Sequence, residues 1–230
     1  MSAKLLRKAR AERGWTQREA AARLGVTQAY LSMLEEGARS PSPKLARRLM
    51  RVYGLPPTVL PVSHAPANTN PDFLAAQLGA LGYPGFVYLR SRAPKKNPHQ
   101  VVLTALTQPS LEARVVEALP WLLVRYADAD TRWLEDRAKL GDLQNRLGFV
   151  VSMAERVAEG DVRCRHKAQV LAELRGRLYR SRLAREDTLC QESMTEAERR
   201  WLRKNRSEEA RKWNLLTQWR LEHFPRARDA

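Results

Sequence analysis

The sequence predicts an all-α protein built from two helical domains and a linker. Apolar residues recur at three- and four-residue intervals along most of the chain, which is the spacing of an amphipathic helix face. Hydroxyl and acidic residues precede several of these segments and glycines follow them, as helix caps do. The polar, proline-containing segment 61–71 interrupts the pattern and predicts the linker. We therefore expect one domain at 1–60 and a larger helical bundle at 72–230.

Residues 15–37 carry the most regular pattern in the first domain. Thr16 and Glu19 have the spacing of a capping box, and Thr27 is a suitable N-cap for the next segment. Gly25 and Gly37 stand where helices end in a left-handed backbone. These signals predict two short helices joined by a tight turn, which is a helix-turn-helix.

One helix is expected before this pair and two after it, which makes five in the first domain. The apolar residues that suit the first helix are Leu5, Leu6, Ala9 and Trp15, and Pro43 is placed to open the fourth. Residues 55–60 predict a fifth, short helix that Pro56 and Pro57 restrict to its first turn.

The second helix of the pair, 28–36, has a small or polar outer face. A helix-turn-helix places this helix in the DNA major groove, so its outer residues are candidate base contacts. They are Gln28, Ala29, Ser32 and Met33. Gln28 is the strongest candidate, because its amide can pair with both N6 and N7 of adenine. Ala29 and Met33 offer only apolar contacts, for example with a thymine methyl group.

The run from about residue 4 to residue 60 resembles the Cro/repressor (XRE) family of DNA-binding domains. The matching residues are Thr16-Gln17, Gly25-Val26-Thr27, Leu31-Ser32, Leu34-Glu35 and Gly37. The resemblance implies that Gln17 contacts a DNA phosphate through its side chain or the helix N-terminus. It implies further phosphate contacts at Thr27, Arg39, Ser40 and Lys44. It also implies that Arg10 and Glu35 pair as structural support.

The positive charge of the chain is concentrated at its two ends. The net charge is +16 over 230 residues. Residues 1–60 hold 12 Lys/Arg against 4 Asp/Glu, and residues 161–230 hold 18 against 11. The segment between them is almost neutral, with 11 against 10. The N-terminal excess fits the neutralisation of DNA phosphates.

The second domain is predicted to be mainly helical, with at most a short strand or wing. Residues 86–89 are the candidate strand, and the basic loop 90–97 is either a wing or a solvated loop. Helices are expected over 72–81, from His99, over 111–126, over 131–158 and over 171–183, with one or two more near the C-terminus. Pro120 is expected to kink or split the helix 111–126.

No catalytic, cofactor or metal site is predicted. The sequence has no glycine-rich phosphate loop, and its four histidines are scattered. Cys164, His166 and Cys190 match no common zinc spacing. Two cysteines without a disulfide pattern, no long apolar run and no signal peptide indicate a cytoplasmic protein that is not an enzyme and binds no membrane.

The basic C-terminal segment allows three interpretations. Arginines alternate there with Trp201, Trp213 and Trp219. The tryptophans form the core of a bundle whose arginines are solvated or paired with glutamates, or the segment binds an acidic protein, or it binds nucleic acid.

These observations predict a repressor that binds double-stranded operator DNA as a homodimer, because one short helix reads few base pairs. Residues 118–154 are also similar to regulators paired with nucleotidyltransferase-type toxins. That resemblance implies the alternative of an antitoxin whose second domain binds a toxin protein.

Overall fold

The computed structural model describes residues 3–62, 71–90 and 93–225. The chain divides into two units, Met1–His64 and Ala65–Ala230, and each has its own hydrophobic core. Most of the predicted linker, 61–71, lies outside the described residues. Over the described ranges, no helix combines the length and the apolar character needed to cross a membrane.

The first unit contains four α-helices in residues 3–62. They are α1 (Ala3–Ala11), α2 (Gln17–Leu24), α3 (Gln28–Glu36) and α4 (Pro43–Val52). The predicted fifth helix is a single 3₁₀ turn, Pro57–Val59. The turn ends at Leu60 (φ -64°, ψ 143°), because the residue before a proline, here Pro61, is disfavoured in the helical region.

Side-chain caps define where these helices begin. The hydroxyls of Thr16, Thr27 and Ser42 each accept a hydrogen bond from a backbone N–H three residues further on. Gly25 (φ 62°) and Gly37 (φ 81°) end α2 and α3 in the left-handed backbone region. Each cap satisfies a group that the helix itself leaves without a partner. The turn between α2 and α3 is therefore determined by its local sequence.

One face of each helix packs into the core of the first unit. The buried residues there are Leu6, Ala9, Ala20, Ala21, Leu24, Leu31, Leu34, Leu49 and Tyr53. Trp15 packs against this cluster, with its ring centroid 5.9 Å from that of Tyr53. Burial of this apolar surface holds together helices that are too short to be stable alone.

The second unit is a larger helical assembly. Its helices in the described residues are α5 (Pro71–Leu81), α6 (Pro98–Leu106), α7 (Ala113–Arg125), α8 (Arg132–Leu140), α9 (Gln144–Glu159), α10 (Arg165–Arg180), α11 (Glu196–Asn205) and α12 (Glu208–Lys212). Two-residue strands, β1 (Asp187–Thr188) and β2 (Leu215–Leu216), pair in parallel, with Asp187 opposite Leu215 and Thr188 opposite Leu216.

Helix α9 lies at the centre of this unit. Almost all of its residues are buried, and it packs against both α7 and α10. Arg146 on α9 is also buried, and its guanidinium bonds Asp187 through Nε and Nη2, both at 2.8 Å. Arg146 Nη1 donates to the Leu106 carbonyl at 2.9 Å. This one side chain therefore connects α9 with α6 and β1.

The predicted strand at 86–89 is wrong. Pro84–Leu89 is a short 3₁₀ segment, in which Phe86 is buried while Val87 and Tyr88 are exposed. Gly79 allows the close approach of this segment, because a Cβ there would lie 2.3 Å from the Phe86 carbonyl oxygen. The wing interpretation of 90–97 has no support, since no strand flanks that loop within the described residues.

One predicted helix continues without a break, and another is divided in two. Pro120 was expected to kink or split its helix, and it does not split it, because α7 runs through it from Ala113 to Arg125. The stretch 131–158 is two helices, α8 and α9. They separate at Gly141-Asp142, where Asp142 has a φ of 55°. A non-glycine residue in that region ends a helix even when the apolar spacing continues.

His99, in the first turn of α6, makes the stability of the second unit depend on pH. Burial lowers its pKa to about 4, although the Asp130 charge acts in the opposite direction. The unfolded chain therefore binds more protons than the folded one between pH 6.5 and 4, so stability falls as the pH drops. We expect a loss of about 2 kcal/mol between pH 7 and pH 5.

Urea unfolding of the full chain at the two pH values measures this loss. In a His99→Leu variant, the pH-dependent difference should shrink by that amount. An unchanged difference in the variant would contradict the role given to His99.

Candidate nucleic-acid interface

The outer face of α3 presents the four predicted base-contact residues. Gln28 and Ala29 are exposed, and Ser32 and Met33 are half-buried. The Ser32 hydroxyl donates to a Glu36 carboxylate oxygen at 2.7 Å, so it must leave that bond to contact DNA. Within the described residues, the Gln28 amide makes no hydrogen bond and is free to meet a base edge.

A buried network beneath this face joins α1, α2 and α3. Glu35 accepts two bonds from Arg10, at 2.7 Å from Nε and 3.0 Å from Nη2. It accepts a third bond from Gln17 Nε2 at 3.0 Å. Glu35 is only 3% exposed. Burial acts to raise the pKa of the Glu35 carboxyl, but the bonds from Arg10 and Gln17 outweigh burial and lower the pKa below its ordinary value.

The network changes how Gln17 is available to DNA. One amide hydrogen of Gln17 is used on Glu35, and the second amide hydrogen stays available to a phosphate. The backbone offers the other route implied for this position. The first N–H groups of α2 point out of the helix, where an anion is favoured. Exposed Arg18 stands beside them, a residue that the sequence analysis did not single out.

The Thr27 hydroxyl also takes part in a hydrogen bond within the protein. Its hydroxyl accepts a bond from Tyr30 N–H at 3.2 Å, as the N-cap of α3. The hydroxyl hydrogen stays free to donate, because this bond uses only an oxygen lone pair. A phosphate contact at Thr27 is therefore compatible with its capping role.

The loop after α3 carries the other predicted phosphate contacts. Arg39 and Ser40 are exposed, and so is Lys44 in the first turn of α4. The Arg39 N–H donates to the Met33 carbonyl at 3.2 Å, which ties the loop to the end of α3. This bond places the Arg39 backbone next to the candidate base-contact helix.

Arg48 on α4 supports the turn of the helix-turn-helix from behind. It donates to the Arg23 carbonyl at 3.1 Å, near the C-terminal end of α2. A Cβ at Gly25 would lie 2.7 Å from Arg48 Nη1. The turn thus needs glycine for its left-handed backbone, and a Cβ there would also displace the end of the Arg48 side chain. The sequence does not predict this contact, because Arg48 and Arg23 are 25 residues apart in the chain.

The second unit shows no metal centre. Cys164 and Cys190 are buried free thiols, and no group of three or more ligating side chains occurs in the part of the chain described. Burial raises the pKa of the Cys190 thiol to about 12, so this thiol stays protonated.

The C-terminal tryptophans do not share one environment. Trp213 is 1% exposed and its Nε1 donates to Ser152 Oγ at 2.9 Å. Trp219 is half-buried, whereas Trp201 is 58% exposed. The interpretation that all of them are core residues is therefore wrong for Trp201. Several arginines pair with carboxylates, for example Arg175 with Glu155 at 2.5 Å.

Comparison with protein families matches residues 6–60 to a helix-turn-helix family model. Comparisons with curated proteins and with solved structures gave no match. The similarity of residues 118–154 to toxin-paired regulators therefore has no support. The match covers α2, α3 and the caps that orient them. Residues 6–60 form a helix-turn-helix domain of the Cro/repressor (XRE) type, and this domain supports a role for the chain as a DNA-binding regulator.

Proposed function

We propose that this regulator is a transcriptional repressor that binds operator DNA with α3 in the major groove. The free Gln28 amide on the outer face of α3, above a buried network that fixes the helix, carries the proposal. Gln28 reads one base, and Ala29 and Met33 make apolar contacts with neighbouring bases. The protein binds as a homodimer through its second unit, because two half-sites are needed for useful specificity.

The exposed cations hold the domain on the phosphate backbone. Arg39 and Lys44 flank the C-terminal end of α3, and Arg18 stands at the N-terminus of α2. Contacts of this kind set the position of the protein without reading sequence. Their contribution falls as salt rises, because binding releases counterions from the DNA.

The test begins with selection of the bound sequence from a random duplex pool with the full chain. Footprinting of the selected duplex should show two half-sites about one helical turn apart. A reporter driven by a promoter that overlaps this site should be repressed when the protein is present. A single unpaired half-site, or activation of the reporter, would contradict the proposal.

Gln28→Ala is expected to weaken binding to the selected operator by about 1–3 kcal/mol and to relax discrimination at one base pair. Arg39→Ala is the matched comparison. It should weaken binding about equally on all sequences and reduce the salt slope by about 1. Fluorescence anisotropy on the operator and its single-base variants measures both. If Gln28→Ala leaves the base preference unchanged, Gln28 is not a reader.

A further inference from the structure

Helix α11 has an exposed face that operator binding by the first unit does not use. Arg200, Trp201 and Lys204 are exposed, and Trp201 and Lys204 are three residues apart on one side of this helix, whereas Leu202 is buried. All six tryptophans of the chain lie in described residues, and Trp201 is the exposed one. An indole ring left in water is unusual for a side chain whose burial is favourable, and exposed cations lie near it along the same helix.

The cations around Trp201 are not neutralised by carboxylates within the described residues. Arg200 donates to a main-chain carbonyl of its own helix. Arg220 donates to the Asn205 carbonyl at 3.1 Å, which brings a third cation to the C-terminal end of α11. Arg203 on the same helix contrasts with them, because it is paired with two glutamates. We call Arg200, Trp201, Lys204 and Arg220 the Trp201 patch.

A groove lies against the Trp201 ring. Its volume is about 130 Å³, which is far more than the ~10–15 Å³ that one water needs. It is lined by Gln191, Met194, Glu198, Trp201, Leu202 and Gln218. The Glu198 carboxylate accepts bonds from the Thr195 N–H and hydroxyl at 2.7 and 2.8 Å, so its charge is directed at the start of α11. The groove combines an apolar floor with two amide side chains.

We propose that the Trp201 patch binds single-stranded nucleic acid. One base stacks on the Trp201 ring, and its edge meets the Gln191 and Gln218 amides, which both donate and accept hydrogen bonds. The neighbouring phosphates contact the cations of the patch. The exposed ring and the two amides beside it favour a base over an acidic peptide, because a base has both a flat face that stacks and an edge that forms hydrogen bonds. A duplex keeps its base faces stacked inside, so it cannot use the ring.

The proposal is tested on the full chain with fluorescein-labelled dT20 in the presence of excess unlabelled duplex, which occupies the first unit. Anisotropy should rise on binding, and the emission of the exposed tryptophan should be quenched. Trp201→Ala is expected to weaken dT20 binding about 5- to 150-fold, the range for loss of one stacked base. Lys204→Gln should weaken binding and lower its dependence on salt.

Two exposed side chains outside α11 serve as matched controls. Tyr88→Ala removes a 66% exposed aromatic ring, and Arg163→Gln removes an exposed cation that is paired with Asp161. Both variants should bind dT20 like the unmodified chain. The proposal is overturned if dT20 does not bind, if the duplex displaces it, or if Tyr88→Ala weakens binding as much as Trp201→Ala. Binding of polyglutamate in place of dT20 would assign the patch to an acidic protein. Operator binding through α3 is measured in a separate experiment, so a failure of the proposed repressor function can be distinguished from a failure of dT20 binding.

Discussion

Replacement of Glu35 by alanine should destabilise the first unit by about 3–5 kcal/mol. The substitution leaves the Arg10 guanidinium, whose side chain is 17% exposed, without its carboxylate partner. Loss of one member of a buried ion pair costs about this much, because the other charge stays desolvated. Gln17 loses its partner as well. The protection of α1 to α3 amides against hydrogen exchange should fall at least about 100-fold.

The matched comparison replaces both charges. A double variant, Arg10→Met with Glu35→Leu, should recover most of the lost stability, since an apolar pair of similar volume needs no desolvated charge. The double variant also lacks the hydrogen-bond partner of Gln17. If its stability recovers but its DNA binding does not, the remaining defect is due to the orientation of α2 against α3. If the amides of α1 to α3 exchange as slowly in the Glu35→Ala variant as in the unmodified chain, the network does not stabilise the first unit.

Gly148→Ala on α9 is the second large effect that we expect. Alanine in place of glycine ordinarily stabilises a helix interior by about 1 kcal/mol. Here the new Cβ would lie 2.2 Å from Cζ3 and 2.3 Å from Cη2 of Trp213. The indole cannot move easily, because it bonds Ser152 and lies edge-on to Tyr179. Overpacking should therefore reverse the sign and destabilise the second unit by about 1–3 kcal/mol or more.

Gly176 on α10 provides the control within the same unit. No atom lies within 4 Å of a Cβ placed there, so Gly176→Ala should stabilise the protein by up to about 1 kcal/mol. Urea unfolding compares the two variants directly. A Trp213→Leu substitution should relieve much of the cost of Gly148→Ala. Equal, stabilising effects at both glycines would show that Trp213 yields to the added methyl group.

The first unit could be predicted in detail because its signals are local. Thr16, Thr27, Gly25 and Gly37 act on backbone groups within a few residues of themselves, and their effects agree with one another. The candidate base-contact residues follow from that register. The bond from Gln17 to Glu35 spans 18 residues, and no spacing rule predicts it. It uses one amide hydrogen of the side chain for which the resemblance implied a phosphate contact.

The second unit was predictable only in class. Apolar spacing indicated helices, but it did not show the break at Gly141-Asp142, because the spacing continues across it. Pro120 was expected to kink or split α7, and the helix is not split there but continues among buried neighbours. Tertiary packing compensates for a weak or missing backbone bond when enough apolar surface is buried.

The amino-acid sequence by itself determined the helix-turn-helix, the register of α3 and the two basic ends of the chain. Only the tertiary structure decided that Trp213 is buried beside Gly148 while Trp201 faces water next to a groove. The physical reason is the range of the forces involved. Caps and turns act through neighbouring backbone groups. Burial depends on which distant segments of the chain pack together, and the similar Arg/Trp patterns around Trp201 and Trp213 do not predict that packing.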